Sequence, residues 1–94
     1  MTNEQIENVT RAYLVWLSER GYGEGDLPQA YVSHDVRKAL ATLNGVLQGA
    51  IDFIKVGRRE KADRWLGFAQ GALWASGVFS IESLRRHSRT GVVD

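Results

Sequence analysis

Cysteine is absent from this 94-residue chain. No disulfide, thiol nucleophile or cysteine–zinc site can form, a composition that suits a reducing cytoplasm. Proline occurs once, at Pro28, inside the loop-like stretch GYGEGDLPQA. Net charge is small, at +1, which argues against a partner held mainly by electrostatics. No apolar run approaches the roughly 20 residues that span a bilayer. The opening MTNEQIENVT has neither a basic n-region nor an apolar h-region, so a secretory signal is not expected. No internal repeat or low-complexity segment interrupts the chain.

Catalytic and metal constellations are missing as well. Ser33, His34 and Asp35 are adjacent, and adjacent side chains on a helix start diverge, so SHD is no triad. Ser33 is better explained as a helix cap, with Asp35 favoured by the dipole of the first turn. His87 lies among Arg85, Arg86 and Arg89 and reads as a solvated helix end. The two histidines and scattered carboxylates show no metal-ligand spacing. GYGEG follows a helix rather than a strand and lacks the lysine and hydroxyl residue of a phosphate loop. No catalytic residue, metal or cofactor is expected.

What is present is helix. A hydrophobic fraction of 44% is ordinary for a globular chain, and the length suits one domain with a modest core. Thr2 and Gln5 form a T-x-x-Q capping box. The first helix should run to about Arg20, with Gly21 as its stop. Ile6, Val9, Tyr13, Trp16 and Leu17 make one apolar stripe. The second helix should run from His34 to about Val56 and end at Gly57. Val36, Leu40, Leu43, Leu47, Ala50 and Ile54 form its seam, widened by Ala39, Val46 and Phe53. Such a helix would be about 35 Å long. The short break KVGRRE predicts that a third helix, from about Arg58 to Ser76, folds back antiparallel on it. Gly77 ends that helix, and Ser80 caps a short last one, IESLRRHSR, in which Glu82 and Arg86 stand as an i, i+4 pair. The fold class is therefore all-α, a single domain over residues 1–94. A long hairpin, residues 34–76, is flanked by an N-terminal and a short C-terminal helix, with residues 90–94 expected to fray.

Two glycines interrupt RWLGFAQGALW, each costing about 1 kcal/mol against alanine in a helix. On a wheel, Ala62, Trp65, Leu66, Ala69, Ala72 and Leu73 fall on one arc. Gly67, Gly71 and Trp74 lie opposite, with Phe68 and Ala75 at the edge. The second helix repeats the theme with Ala41, Gly45 and Gly49, a small-xxx-small row that admits a close backbone. These residues either receive the first or last helix of the same chain or form a surface for a second subunit or partner protein. With so small a core, a homo-oligomer is expected.

One cluster has chemical content. Lys55, Arg58, Arg59, Lys61 and Arg64 surround the start of the third helix, where free N–H groups and guanidinium forks suit a phosphate or carboxylate. A solvated turn, partly neutralised by Glu60 and Asp63, explains the same charges. Residues 1–50 carry −2 and residues 51–94 carry +3, a mild polarity. With no arginine-rich helix face, nucleic-acid binding is not favoured. No helix combines a lysine-rich face with a clean apolar one, so no membrane role is expected either.

EKADRWLGFAQGALWASGVFSIESLRRHSR, residues 60–89, resembles a family of short accessory proteins encoded by tailed bacteriophages. The tryptophan–leucine–glycine–phenylalanine and glutamine–glycine core carries the resemblance, followed by the ESLRRHSR-like end. The upstream HDVRKALATLNGVLQGAIDFIKVGRREKA also fits, so roughly the last two thirds is covered. The resemblance implies a non-enzymatic product of the infected bacterial cytoplasm that binds and modulates or inhibits a host protein. It implies no catalytic residues. Two other functions remain open: an oligomer that sequesters a nucleotide, holding its phosphate near Arg58, Arg59 and Arg64, and a small DNA-binding regulator.

Overall fold

The computed structural model describes residues 1–22 and 36–94, apart from the side chains of Val36 and Arg37. The expected cap at Ser33, the SHD run, the expected start of the second helix and residues 23–30 of the loop GYGEGDLPQA lie outside the described residues. Within them the chain is all-α. Its elements are α1 (Asn3–Glu19), α2 (Val36–Lys55), α3 (Arg59–Ala75) and α4 (Ile81–Thr90).

Each helix end has a local cause. The Thr2 hydroxyl accepts from the Gln5 N–H at 3.0 Å, and the Gln5 side chain accepts from the Thr2 N–H at 2.9 Å. Two of the donors that begin α1 are thus satisfied reciprocally. At the end of α2, Arg58 N–H reaches back to the Phe53 carbonyl at 2.8 Å and Gly57 N–H to Ile54 at 3.1 Å. This six-to-one closure needs a left-handed residue, and Gly57 has φ +79°, where a Cβ would be strained. The same closure ends α1 at Gly21 and α3 at Gly77. Ser80 caps α4 by accepting from the Ser83 N–H at 3.0 Å.

The core is built from stripes at helical spacing. Ile6, Val9, Tyr13 and Leu17 of α1 are buried, as are Leu40, Leu43, Leu47 and Ala50 of α2 and Ala62, Leu66, Ala69 and Leu73 of α3. α2 and α3, joined by residues 56–58, share the most extensive helix–helix interface, and α1 packs mainly on α2. Because α2 meets two neighbours, its buried arc is wider than the predicted seam and takes in Ile51. α4 contacts both α1 and α3 through Leu84 and His87, its two buried residues.

Three expectations are corrected. Gly49 does not face an open groove. A Cβ there would stand 2.5 Å from the Trp65 ring, which also meets Phe53 edge-on with centroids 5.0 Å apart. Gly49 therefore serves the α2–α3 contact. Residues 90–94 are not frayed. Gly91 is buried against Gln5, and Val93 packs on the core. Arg86 donates to both Asp94 oxygens, at 3.0 and 3.1 Å. Arg86 is accordingly engaged by the tail and not by Glu82: a two-pronged carboxylate matches the planar guanidinium better.

The two α2 glycines should respond oppositely to substitution. A Cβ at exposed Gly45 meets nothing within 4 Å. Gly45→Ala is therefore expected to stabilise by about 1 kcal/mol and raise Tm by several degrees. Gly49→Ala must displace the Trp65 ring and should gain nothing or lose stability. Circular dichroism melts would decide it, and equal gains at both sites would contradict the close approach.

Candidate functional site

Three places invite a functional reading, and the first is the outer face of α3. Its inward positions fill the core, so the residues between them point away. Gly67 and Gly71 are exposed, and a Cβ at either would meet no atom within 4 Å. Phe68 is 65% and Trp74 52% exposed. No described helix crosses here, so among the described residues Gly67, Phe68, Gly71 and Trp74 form one uncovered surface. Ala41, Gly45 and Gly49 do not form one surface. Ala41 is half-buried, Gly45 is open, and Gly49 lies under Trp65.

α4 runs beside this face and turns its edge into a groove of about 550 Å³. Gly71, Trp74, Ile81 and Leu84 give it apolar walls, and Gln70 and Ser88 lie along it. Arg85 and Arg89, one turn apart on α4, complete the lining. The helical wheel of α3 brings Gly71 and Trp74 to this site, and the apolar spacing alone does not bring α4 to it. Ile81, Arg85 and Arg89 share i, i+4 spacing, and that was the available signal.

The second place is the basic corner. Gly57, Arg58, Arg59, Glu60, Lys61 and Arg64 line one shallow hollow of about 330 Å³. Four of the five predicted cations are thus brought together, while Lys55 is not part of the lining. Arg58 and Lys61 each rest over the Phe53 ring, 5.4 and 4.8 Å from its centroid. Glu60 shares the hollow and offsets part of its charge. Arg58, the N-cap, makes no side-chain capping bond.

The third place was not foreseen. His87 is fully buried, which corrects its reading as a solvated helix end. Leu84, His87 and Gly91 fall on the inner side of α4, opposite the arginines, and the arginines obscured that stripe. His87 Nδ1 lies 2.8 Å from the Tyr13 hydroxyl, and the Gln70 amide donates to the same hydroxyl at 3.3 Å and to Ser88 Oγ at 3.1 Å. Phe79 stands edge-on to His87 at 5.0 Å. Burial pushes the Tyr13 pKa up to about 12, against the opposing bond from Gln70. Tyr13 therefore keeps its proton and donates it to Nδ1, so the single N–H of neutral His87 lies on Nε2. That atom has no hydrogen-bond partner and faces an Asp94 oxygen at 3.5 Å. Asp, His and a hydroxyl are aligned here, yet a sealed phenol with a raised pKa is the opposite of an activated nucleophile. The cluster ties α1, α3, α4 and the tail together.

Compared with protein-family models, curated proteins and solved structures, the chain matches none of them. Among the described residues no three His, Asp or Glu side chains converge as metal ligands, and no helix is long and apolar enough to cross a membrane.

The buried histidine predicts a pH dependence. Desolvation lowers the His87 pKa below its ordinary 6.5, opposed by the Asp94 carboxylate. Below 6.5 the unfolded chain binds more protons at this site than the folded one, so stability rises with pH there. Stability should be full above about pH 6.5 and fall as acid is added. Hydrogen bonds from Arg86 hold Asp94 below its ordinary 3.8, which adds a further loss at more acid pH. Tm measured from pH 7.5 downward should therefore drop before any carboxylate titrates. A His87→Gln variant with the same early drop would assign it elsewhere.

Proposed function

We propose that this chain is a non-enzymatic binding protein whose partner lies on the outer face of α3. We further propose its setting: a phage accessory protein that modulates or inhibits a host protein in the infected bacterial cytoplasm. The carrying observation is the pair of exposed aromatics, Phe68 and Trp74, beside two glycines where a Cβ would meet no atom of the described residues within 4 Å. Exposed glycine inside a helix costs about 1 kcal/mol and gives the fold nothing in return at these two positions. Large aromatics beside a place of close backbone approach are the anchors from which interface hot spots are made, and contiguous exposed apolar surface marks interaction sites. The setting rests on the resemblance of residues 60–89.

The deciding experiment uses the wild-type chain and its Trp74→Ala variant as baits in extract of a bacterial host. A host protein held by the first and released by the second supports the proposal. Retention of the same proteins by both overturns it.

A further inference from the structure

We infer that the segment docking in the α3–α4 groove is an acidic amphipathic helix of another protein. The inference rests on the binding role proposed for the α3 face and names the chemistry of its partner.

The groove has two unlike sides. Toward α3 it is apolar and shallow, with Trp74 standing beside Gly71, where no side chain holds a visitor away. Leu84, nearly buried, closes the floor. Toward α4 the edge runs Ile81, Arg85, Arg89 at four-residue steps, about 6 Å apart. An apolar wall with a charged rim at helical repeat matches a helix carrying an apolar stripe and carboxylates along one flank.

Charge complementarity gives the sign. Of the three α4 arginines, Arg86 is held by both oxygens of Asp94. Arg85 and Arg89 make no ion pair among the described residues, and no carboxylate lines the groove. A visitor that brings none would leave two guanidinium groups partly desolvated and unanswered.

Two helices of a second copy, α1 and α3, are poor occupants. The apolar stripe of α1 is used in the core, where Ile6, Val9, Tyr13 and Leu17 are all buried. The exposed face of α3 runs at its N-terminal end into Arg58, Arg59, Lys61 and Arg64. A second α3 laid in the groove would bring positive charge toward Arg85 and Arg89.

The test is a selection from a displayed library of helical peptides of about 20 residues, long enough to hold helix on binding, with the outward positions randomised. The baits are the full chain, Trp74→Ala, Arg85→Gln/Arg89→Gln and Arg85→Glu/Arg89→Glu. Circular dichroism checks that each variant keeps its helix content. On the wild type, winners should share an apolar stripe and Asp or Glu three or four residues apart on one flank. The glutamate bait should enrich Lys or Arg at those positions and bind the acidic winners about tenfold more weakly, with the gap narrowing in high salt. The glutamine bait should fall between. Helical winners without acidic bias, or the same winners on the glutamate bait, overturn the acidic partner while leaving the α3 face as a docking surface. No helix preferring wild type over Trp74→Ala overturns the binding role beneath it. A sedimentation dimer abolished by Gly71→Leu puts a second copy on this face and also overturns the inference.

Discussion

Trp74→Ala should weaken partner binding at least thirtyfold and leave the fold as stable as before. A desolvated aromatic at the centre of an interface typically contributes about 2 kcal/mol or more, and about 1.4 kcal/mol is tenfold in affinity. The indole is half exposed, and the α3 residues that hold the core, Ala62, Leu66, Ala69 and Leu73, are untouched. Alanine is also the better helix former, so Tm should hold or rise slightly. Calorimetry against the captured partner, paired with a melt, separates the two effects. A drop in Tm that tracks the drop in affinity would make Trp74 a fold residue and remove it from the interface.

Tyr13→Ala should bring the chain close to unfolding, whereas Tyr13→Phe should cost much less. The ring is fully buried, in contact with Phe79 and His87. Truncating a buried aromatic costs about 3–5 kcal/mol. Deleting the hydroxyl strands His87 Nδ1 and leaves Gln70 with Ser88 alone, for about 1–3 kcal/mol. Domains of this kind hold about 5–15 kcal/mol in all. Urea unfolding of both variants would apportion ring and hydroxyl. A Tyr13→Phe variant as stable as wild type would show that the buried network contributes nothing to stability.

Trp74 and His87 divide the legible from the illegible. A wheel puts Trp74 on the face of Gly67 and Gly71, with Phe68 at its edge, because it needs only the helical repeat. Whether that face was covered could not be read from a wheel, since coverage depends on where the other helices run. His87 reads as solvated and is buried for the same reason. Three neighbouring arginines suggested solvent, while the groups that bury it, Tyr13 and Phe79, are distant in sequence or lie across a turn. Gly45 and Gly49 stand in one small-residue row, yet Trp65 crosses over Gly49 and not over Gly45.

Helix number, helix ends and apolar stripes follow from interactions that reach three to five residues: the Thr2–Gln5 box, the closures at Gly21, Gly57 and Gly77, and the buried spacing of each helix. Such contacts need no distant segment, and so they are written locally. Which stripe meets which, that the tail docks through Arg86 and Asp94, and that α4 turns the edge of α3 into a charged groove all depend on packing between distant segments. A buried polar group must be satisfied wherever it lands, and the partner that satisfies it is chosen by the crossing of helices, not by its neighbours along the chain.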